Sequence, residues 1–370
     1  MLNLNEWSYK KFKIIYKYVV EHKLVLAVSI SIIIIVTGVF LGYENNKVVP
    51  INPAASSHYL LEPHNPLSFM SNWDGPDYLN IAKYGYKSII QTNLFPMYPI
   101  LVRLFNFIVP SLLISALLLS WLCLVIAIYF YLKIIEILFK PKNNLESLKA
   151  VLLFILFPTG IFLLATYSES LFMASALAAI YFAYKRKYLL AGLISILTTA
   201  THPNGVFLAI LVGLILYEQK MNFKKIILSI AIGGLGLLGY MAFLYIKFSN
   251  AFAFVNAQKK NGWLQFNVNN YTVEVGWLNI IFFILIITSA IYWWSRHKSF
   301  SIYSILFLVV PILGGQFGGF NRYVLAAFPL QIMLYDRYRN KPYGYAICLS
   351  LSSILWAYFV FQYAGGYVGG

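Results

Sequence analysis

The chain has 370 residues, of which 60 % are hydrophobic and only 11 % charged, and its mean hydropathy is +0.72. A water-soluble domain of this size carries about a quarter charged residues, so that class is excluded. The net charge of +16 suggests nucleic acid until its placement is read. Of the 28 Lys and Arg, 19 fall in six short clusters at 10–23, 140–149, 185–187, 220–225, 296–298 and 337–341, each beside an apolar run. Cytoplasmic loops of membrane proteins look like this, so the clusters set topology and face anionic headgroups rather than nucleic acid.

The apolar runs at 24–42, 111–131, 226–243 and 277–294 approach the roughly 20 residues a helix needs to cross the hydrocarbon. They are continuous rather than alternating, which excludes a β-barrel. In chain order, a helix over 24–43 leads out, too long for a signal-peptide core and read as a retained anchor with the N-terminus cytoplasmic. An outer segment, 44–110, follows. A helix over 111–139 returns, and the pairs 150–166/170–184 and 189–201/205–217 go out and back. The helix 226–247 leads to a second outer segment, 248–275, from which 276–295 returns. The pair 301–316/323–336 and a final helix over 343–363 leave the C-terminus outside. The expectation is an all-α polytopic membrane protein, one domain over 1–370, with about 11 transmembrane helices whose bounds carry an uncertainty of several residues. The helices 189–201 and 205–217 are short for full spans and fit half-crossings whose tip sits in a protein-lined cavity.

The segment 44–110 is too long for a plain connection, and long ordered loops usually have work to do. Its first half is polar and contains Pro50, Pro53, Pro63 and Pro66, which discourage long helices. Its second half holds short amphipathic stretches around 78–86 and 99–108, suited to helices lying along a membrane surface. Cys123 and Cys348 both lie in apolar runs, where neither a disulfide framework nor a zinc site is available to them.

Carboxylates are scarce, 12 in all. The path above puts six outside: Glu44, Glu62, Asp74, Asp77, Glu169 and Glu274. Asp74 lies in Ser71-Asn72-Trp73-Asp74-Gly75-Pro76-Asp77-Tyr78. Aromatic neighbours suit an interface that is apolar on one side and wet on the other, where a carboxylate can accept a proton from a hydroxyl. Equally, Asp before Gly-Pro is a good helix opening, and Asp74 can be a cap. Glu169 sits at the turn between two apolar helices, where an acid marks a cavity or a partner, or is a solvated turn residue. His202, in Thr201-His202-Pro203-Asn204-Gly205, reads as a hydrogen-bonded structural residue or a ligand contact. No second donor at helical spacing makes it a metal site.

Only Arg103 and Arg322 among the six arginines fall outside. Arg322 follows the Gly-rich stretch 314–321. Glycines permit close backbone approach and a guanidinium can grip phosphate bidentately; snorkelling to headgroups is the other reading. The stretch is no P-loop, because it lacks the Gly-Lys-Ser/Thr ending. Lys259 and Lys260 are a second candidate pair for phosphate.

At these segments the sequence resembles the PIG-V-like mannosyltransferases of the GT-C superfamily of membrane glycosyltransferases. The matching stretches are Trp73-Asp74 with 78–86, Phe95-Pro96-Met97-Tyr98-Pro99, Phe157-Pro158-Thr159, 167–172, His202-Pro203-Asn204-Gly205, 254–260 with Trp263, and Arg322-Tyr323 with Phe328-Pro329-Leu330. The resemblance implies a GT-C-like fold whose large first outer loop carries the catalytic Asp, here Asp74. It implies a polyprenyl-phosphate sugar donor, most commonly mannose, inversion at the anomeric carbon, and an active site on the outer face. Trp73, Asp77, Tyr78, Glu169, His202, Arg103, Lys259, Lys260 and Arg322 are then the candidates for holding substrate and phosphate. No cofactor is expected beyond the donor, and no divalent metal is required, since a lipid monophosphate already carries its leaving group. Two departures stand out: related sequences often show Arg where this one has His202, and Asp74 and Asp77 do not make an Asp-x-Asp.

Ion-driven transporters place ionisable groups within their spanning helices. Here these helices are nearly free of charge apart from Lys133 and Glu136, which favours an outward-facing enzyme. A lipid-linked-sugar carrier or flippase and a non-catalytic subunit of a glycosylation complex are the alternatives. The acceptor stays open among glycolipid, polysaccharide and protein.

Overall fold

The computed structural model describes residues 23–48, 65–141, 144–260, 277–314 and 320–367, and every regular element among them is helical. The 10–23 basic cluster apart from Lys23, the prolines at 50, 53 and 63, Glu62, Trp263, Glu274 and most of the Gly-rich stretch lie outside the described residues.

The chain begins with α1 (Lys23–Val48) and, in the second half of the outer segment, forms α2 (Asp74–Tyr84) and α3 (Met97–Asn106). The next helix, α4 (Leu112–Phe139), is opened by Ser111, whose side chain accepts from the Ile114 N–H, and closed by Lys140 in the left-handed region. Then come α5 (Asn144–Ile155), α6 (Glu169–Tyr184), α7 (Tyr188–Thr199), α8 (Gly205–Glu218), α9 (Phe223–Phe248) and α10 (Ala253–Lys260). After the second outer segment follow α11 (Trp277–Trp294), α12 (Lys298–Gly314), α13 (Phe320–Tyr323), α14 (Phe328–Tyr338) and α15 (Pro342–Ala364).

Five of these, α1, α4, α9, α11 and α15, are long and apolar enough to cross a membrane. They leave large apolar side chains exposed along whole faces: Ile32, Ile33 and Val36 on α1, Leu238 and Ile246 on α9, Ile347, Leu351 and Ile354 on α15. Such contiguous patches are rare on soluble monomers, and hydrocarbon is the solvent that suits them.

Two expected helices are broken. The 150–166 run is α5 followed by a turn and a 3-10 stretch, Gly160–Leu163. Pro158 has no N–H to give and disfavours helical backbone before it, and the Trp121 indole N–H donates to the Leu164 carbonyl at 2.9 Å. The 323–336 run is α13, a 3-10 turn, and then α14, which starts afresh with Pro329 in its first turn. The Tyr303 hydroxyl and the Trp293 indole N–H donate to the carbonyls of Ala326 and Pro329, satisfying backbone that the break exposes.

Among the described residues, basic clusters from Lys140 onwards meet at one end of the bundle. Lys149 donates to the Arg339 carbonyl and the Tyr345 hydroxyl to that of Lys149. Arg296 and Arg339 both pair with Asp336, Glu218 accepts from Ser299, and Lys225 lies over the Tyr188 ring.

From that end α7 runs alongside α9 on a seam of small residues. Thr199 donates to the Gly233 carbonyl at 2.6 Å, and a Cβ on Gly192 or Gly236 would collide with Ser229 or with Ile196, Thr199 and Ala200. Small residues are what lets membrane helices come this close. Because α7 ends beside Gly236, it stops about 20 Å along an α9 that is about 39 Å long. The α7–α8 turn therefore lies halfway along the bundle, and α2 and α3 pack into the space beyond it. The Tyr240 hydroxyl on α9 donates to the Thr92 carbonyl, and the Met97 N–H to that of Ala200.

Candidate active site

The site is built where the outer segment folds back onto α6, α13 and the α7–α8 turn. Asn72 is clamped against the end of α15, its side-chain amide donating to the carbonyls of Tyr363 and Ala364. Trp73 then takes a left-handed backbone, φ 57°, an uncommon geometry for a bulky residue. Beside it, a Cβ at Gly75 would press on Thr166 and Ser71, so the chain approaches closely only because that residue is glycine. Asp74 follows as the first residue of α2.

The N-cap is Trp73, which makes no side-chain capping bond; the Asp74 carboxylate has a different partner. It is turned to Arg322, whose Nη1 lies 2.5 Å from Asp74 Oδ2. The same guanidinium reaches Glu169, with Nε 2.9 Å from Oε1, and donates through Nη2 to the Tyr323 hydroxyl at 2.8 Å. The rings of Tyr167 and Tyr323 flank its charge. Arg322 and Glu169 are almost fully buried, at 5 % and 8 % side-chain exposure, whereas Asp74 keeps 26 %. Asp74 is thus the member that an outside molecule can touch.

Around this triad the backbone N–H of Asp74 donates to the Tyr167 hydroxyl, which donates to the Asn72 carbonyl. Tyr78, one turn along α2, shares a hydrogen bond with Ser168 and packs edge-on against Tyr98 and Tyr167. Burial, reinforced by the Asp74 charge, raises the Asp77 pKa to about 6. The Trp73 indole N–H and Glu169 Oε2 are buried without a protein partner, which is where a polar ligand or water has something to offer.

His202 joins the cluster as a neutral ring. Its Nδ1 accepts from the Asn204 N–H at 3.2 Å, and its faces meet Phe172 and Tyr323. A cavity of about 10 Å³ lies between it, Glu169 and Arg322, room for about one water and not for a sugar. Substrate has to approach from the open side of Asp74.

The remaining sequence candidates divide. Arg103 is exposed on α3 and lines a different cavity. Lys259 and Lys260 close α10, but their side chains lie outside the described residues. Among the described residues no three His, Cys, Asp or Glu side chains converge as metal ligands. Sequence reasoning did not pick out Tyr167, Tyr323, Asn72 or Tyr363 as parts of the site. The adjacency of Tyr323 to Arg322 and of Tyr167 to Ser168-Glu169 was the available signal.

The arrangement is a partly open carboxylate beside a buried guanidinium, next to apolar helices. The family described as Mannosyltransferase (PIG-V) matches residues 31–294, and the chain belongs to that family. No curated protein matches the sequence. Among solved structures, the chain is similar to the oligosaccharyltransferase of Archaeoglobus fulgidus, determined in complex with Zn and sulfate. The identity is 12 %, with 91 % of this chain and 53 % of that one covered and a TM-score of 0.45. The chain thus spans about half the length of that protein.

Proposed function

We propose that the protein transfers a sugar, most commonly mannose, from a polyprenyl-phosphate donor to an acceptor hydroxyl, with inversion and with Asp74 as general base. The observation that carries this reading is the pairing of Asp74, the exposed carboxylate of the cluster, with Arg322. In this mechanism the acceptor hydroxyl gives its proton to Asp74 as its oxygen attacks the anomeric carbon. The bond from that carbon to the phosphate oxygen breaks, and the lipid phosphate leaves with the electron pair. Arg322 stabilises the charge that develops there, the electrostatic help such a transition state needs. The proton on Asp74 passes afterwards to water or to the departing phosphate. Lys259 and Lys260, on the second outer segment, are proposed as further phosphate contacts. Neutral His202 serves as a shape and hydrogen-bond element rather than a cation, and no step needs a divalent metal.

The proposed topology has the N-terminus and the basic end cytoplasmic, the site on the outer face, about 11 crossings, and a GT-C-like outer loop as the catalytic segment. The gathering of basic side chains at the end opposite Asp74 supports it. The acceptor is not assigned. The test is incubation of purified protein with polyprenyl-phosphate mannose or glucose and a range of acceptors, following donor consumption. Consumption of one donor, lost in Asp74→Asn, is expected. If neither donor is transferred or hydrolysed, the enzyme reading fails; if Asp74→Asn retains full function in sugar-lipid movement, the carrier reading replaces it.

A further inference from the structure

A second cavity, of about 500 Å³, lies on the other side of the α7–α8 turn from the carboxylate cluster. Ala200 faces it, while His202, two residues on, faces Arg322. Met97 and Ala200, joined by a 3.0 Å backbone hydrogen bond, form its floor. Its walls are the end of α2, with Ala82 and Gly85, and the second half of α9. The volume falls within the roughly 300–1,000 Å³ typical of small-molecule sites.

Three features specify what fits. The lining is almost wholly apolar, and the only charged side chains in it are two cations, Arg103 and Lys247. Lys247 is one residue from the end of α9, about 16 Å along that helix from Gly236 on the cavity floor. This puts cations at headgroup level above an apolar slot that descends to mid-bundle. Finally, the slot opens sideways: Ile100 on α3 and Leu235 on α9, both in its lining, are half exposed, and Leu235 shares its helix with the exposed Leu238 and Ile246. At Gly239 an added Cβ would meet nothing, so the slot stays open there for want of a side chain.

We propose that this groove binds an anionic membrane phospholipid, with a hydrocarbon chain descending to Ala200 and the phosphate bridged by Arg103 and Lys247. Bidentate and charge-assisted contacts make Arg suited to such a phosphate. The lipid is distinct from the sugar donor, whose phosphate has to lie beside Asp74 and Arg322; the groove itself does not depend on the transferase reading. Its walls include α2, which carries Asp74, and the turn that carries His202, so a bound chain braces both.

The test uses the full chain in phosphatidylcholine vesicles doped with phosphatidylglycerol bearing a photoreactive group in its acyl chain, with adducts mapped by mass spectrometry. Adducts on α3 and on the 235–247 part of α9 are expected, reduced several-fold in Gly239→Trp and in the double variant Arg103→Glu/Lys247→Glu. Gly234→Trp, equally open but outside the groove, should label as wild type. Should Gly239→Trp fail to fold, the double variant carries the test. Equal labelling by a photoreactive phosphatidylcholine, or labelling unchanged in the variants, overturns the proposal. Loss of label on adding polyprenyl phosphate also overturns it, by assigning the groove to the donor chain instead. Donor turnover measured in parallel separates this outcome from failure of the transferase reading.

Discussion

Asp74 and Arg322, 248 positions apart in the chain, meet at 2.5 Å, and the same guanidinium holds Glu169 from its other edge.

Replacing Asp74 by Asn keeps the volume and removes the proposed base. Loss of a general base costs about 10²–10⁴ in rate. Turnover should fall by that amount while donor KM changes little. A rise in KM with kcat intact would make Asp74 a binding group instead.

Arg322→Ala leaves the buried Glu169 carboxyl without its ion-pair partner. Breaking a buried pair from one side costs about 3–5 kcal/mol, to be seen as a lower unfolding midpoint in detergent. Adding Glu169→Gln should return most of that stability without returning activity. If the double variant is no more stable than the single, the pair is not what holds α6 to α13.

Asp77 has its pKa raised from 3.8 to about 6 by burial and by Asp74. The folded state therefore holds this proton where the unfolded state has released it. The contribution to stability is present below pH 4 and is lost as pH rises towards 6. Thermal unfolding across pH 4–7 should show that decline in wild type and a flatter profile in Asp77→Asn. Identical profiles would remove Asp77 as its source.

On the α7–α9 seam, Gly236→Ala puts a methyl into the backbone of Ile196 and Ala200. Overpacking of this kind costs about 1–3 kcal/mol, and it shifts the turn that carries His202. Gly234→Ala meets open space and should be neutral. Thermal unfolding of the two variants gives the comparison.

Turnover is expected to persist in EDTA. Loss of activity on chelation, restored by Mn²⁺ or Mg²⁺, would place a metal in the mechanism and require ligands from outside the described residues.

Much of the scaffold was legible because it is locally encoded. Leu112–Phe139 and Pro342–Ala364 lie within a few residues of the expected 111–139 and 343–363. The misses were local as well: Pro158 and Pro329 sit inside runs read as continuous helices, and hydropathy does not register a missing N–H. For Asp74 the sequence left base and cap open. In the structure Trp73 is the N-cap, and the Asp74 carboxylate pairs with Arg322.

By itself, then, the sequence determined a helical membrane protein with most of its cations in short clusters beside the apolar runs and a few polar residues held apart from them. Those properties follow from the cost of putting charge in hydrocarbon, which each segment meets on its own. Tertiary structure alone decided that Asp74, Glu169 and Arg322 form one cluster and that Tyr167 and Tyr323 flank it. It also sent Arg103 to a separate groove with Lys247. Such meetings depend on how closely α7, on its glycine seam, packs against α9 and how far along it stops, and no local stretch of sequence encodes that distance.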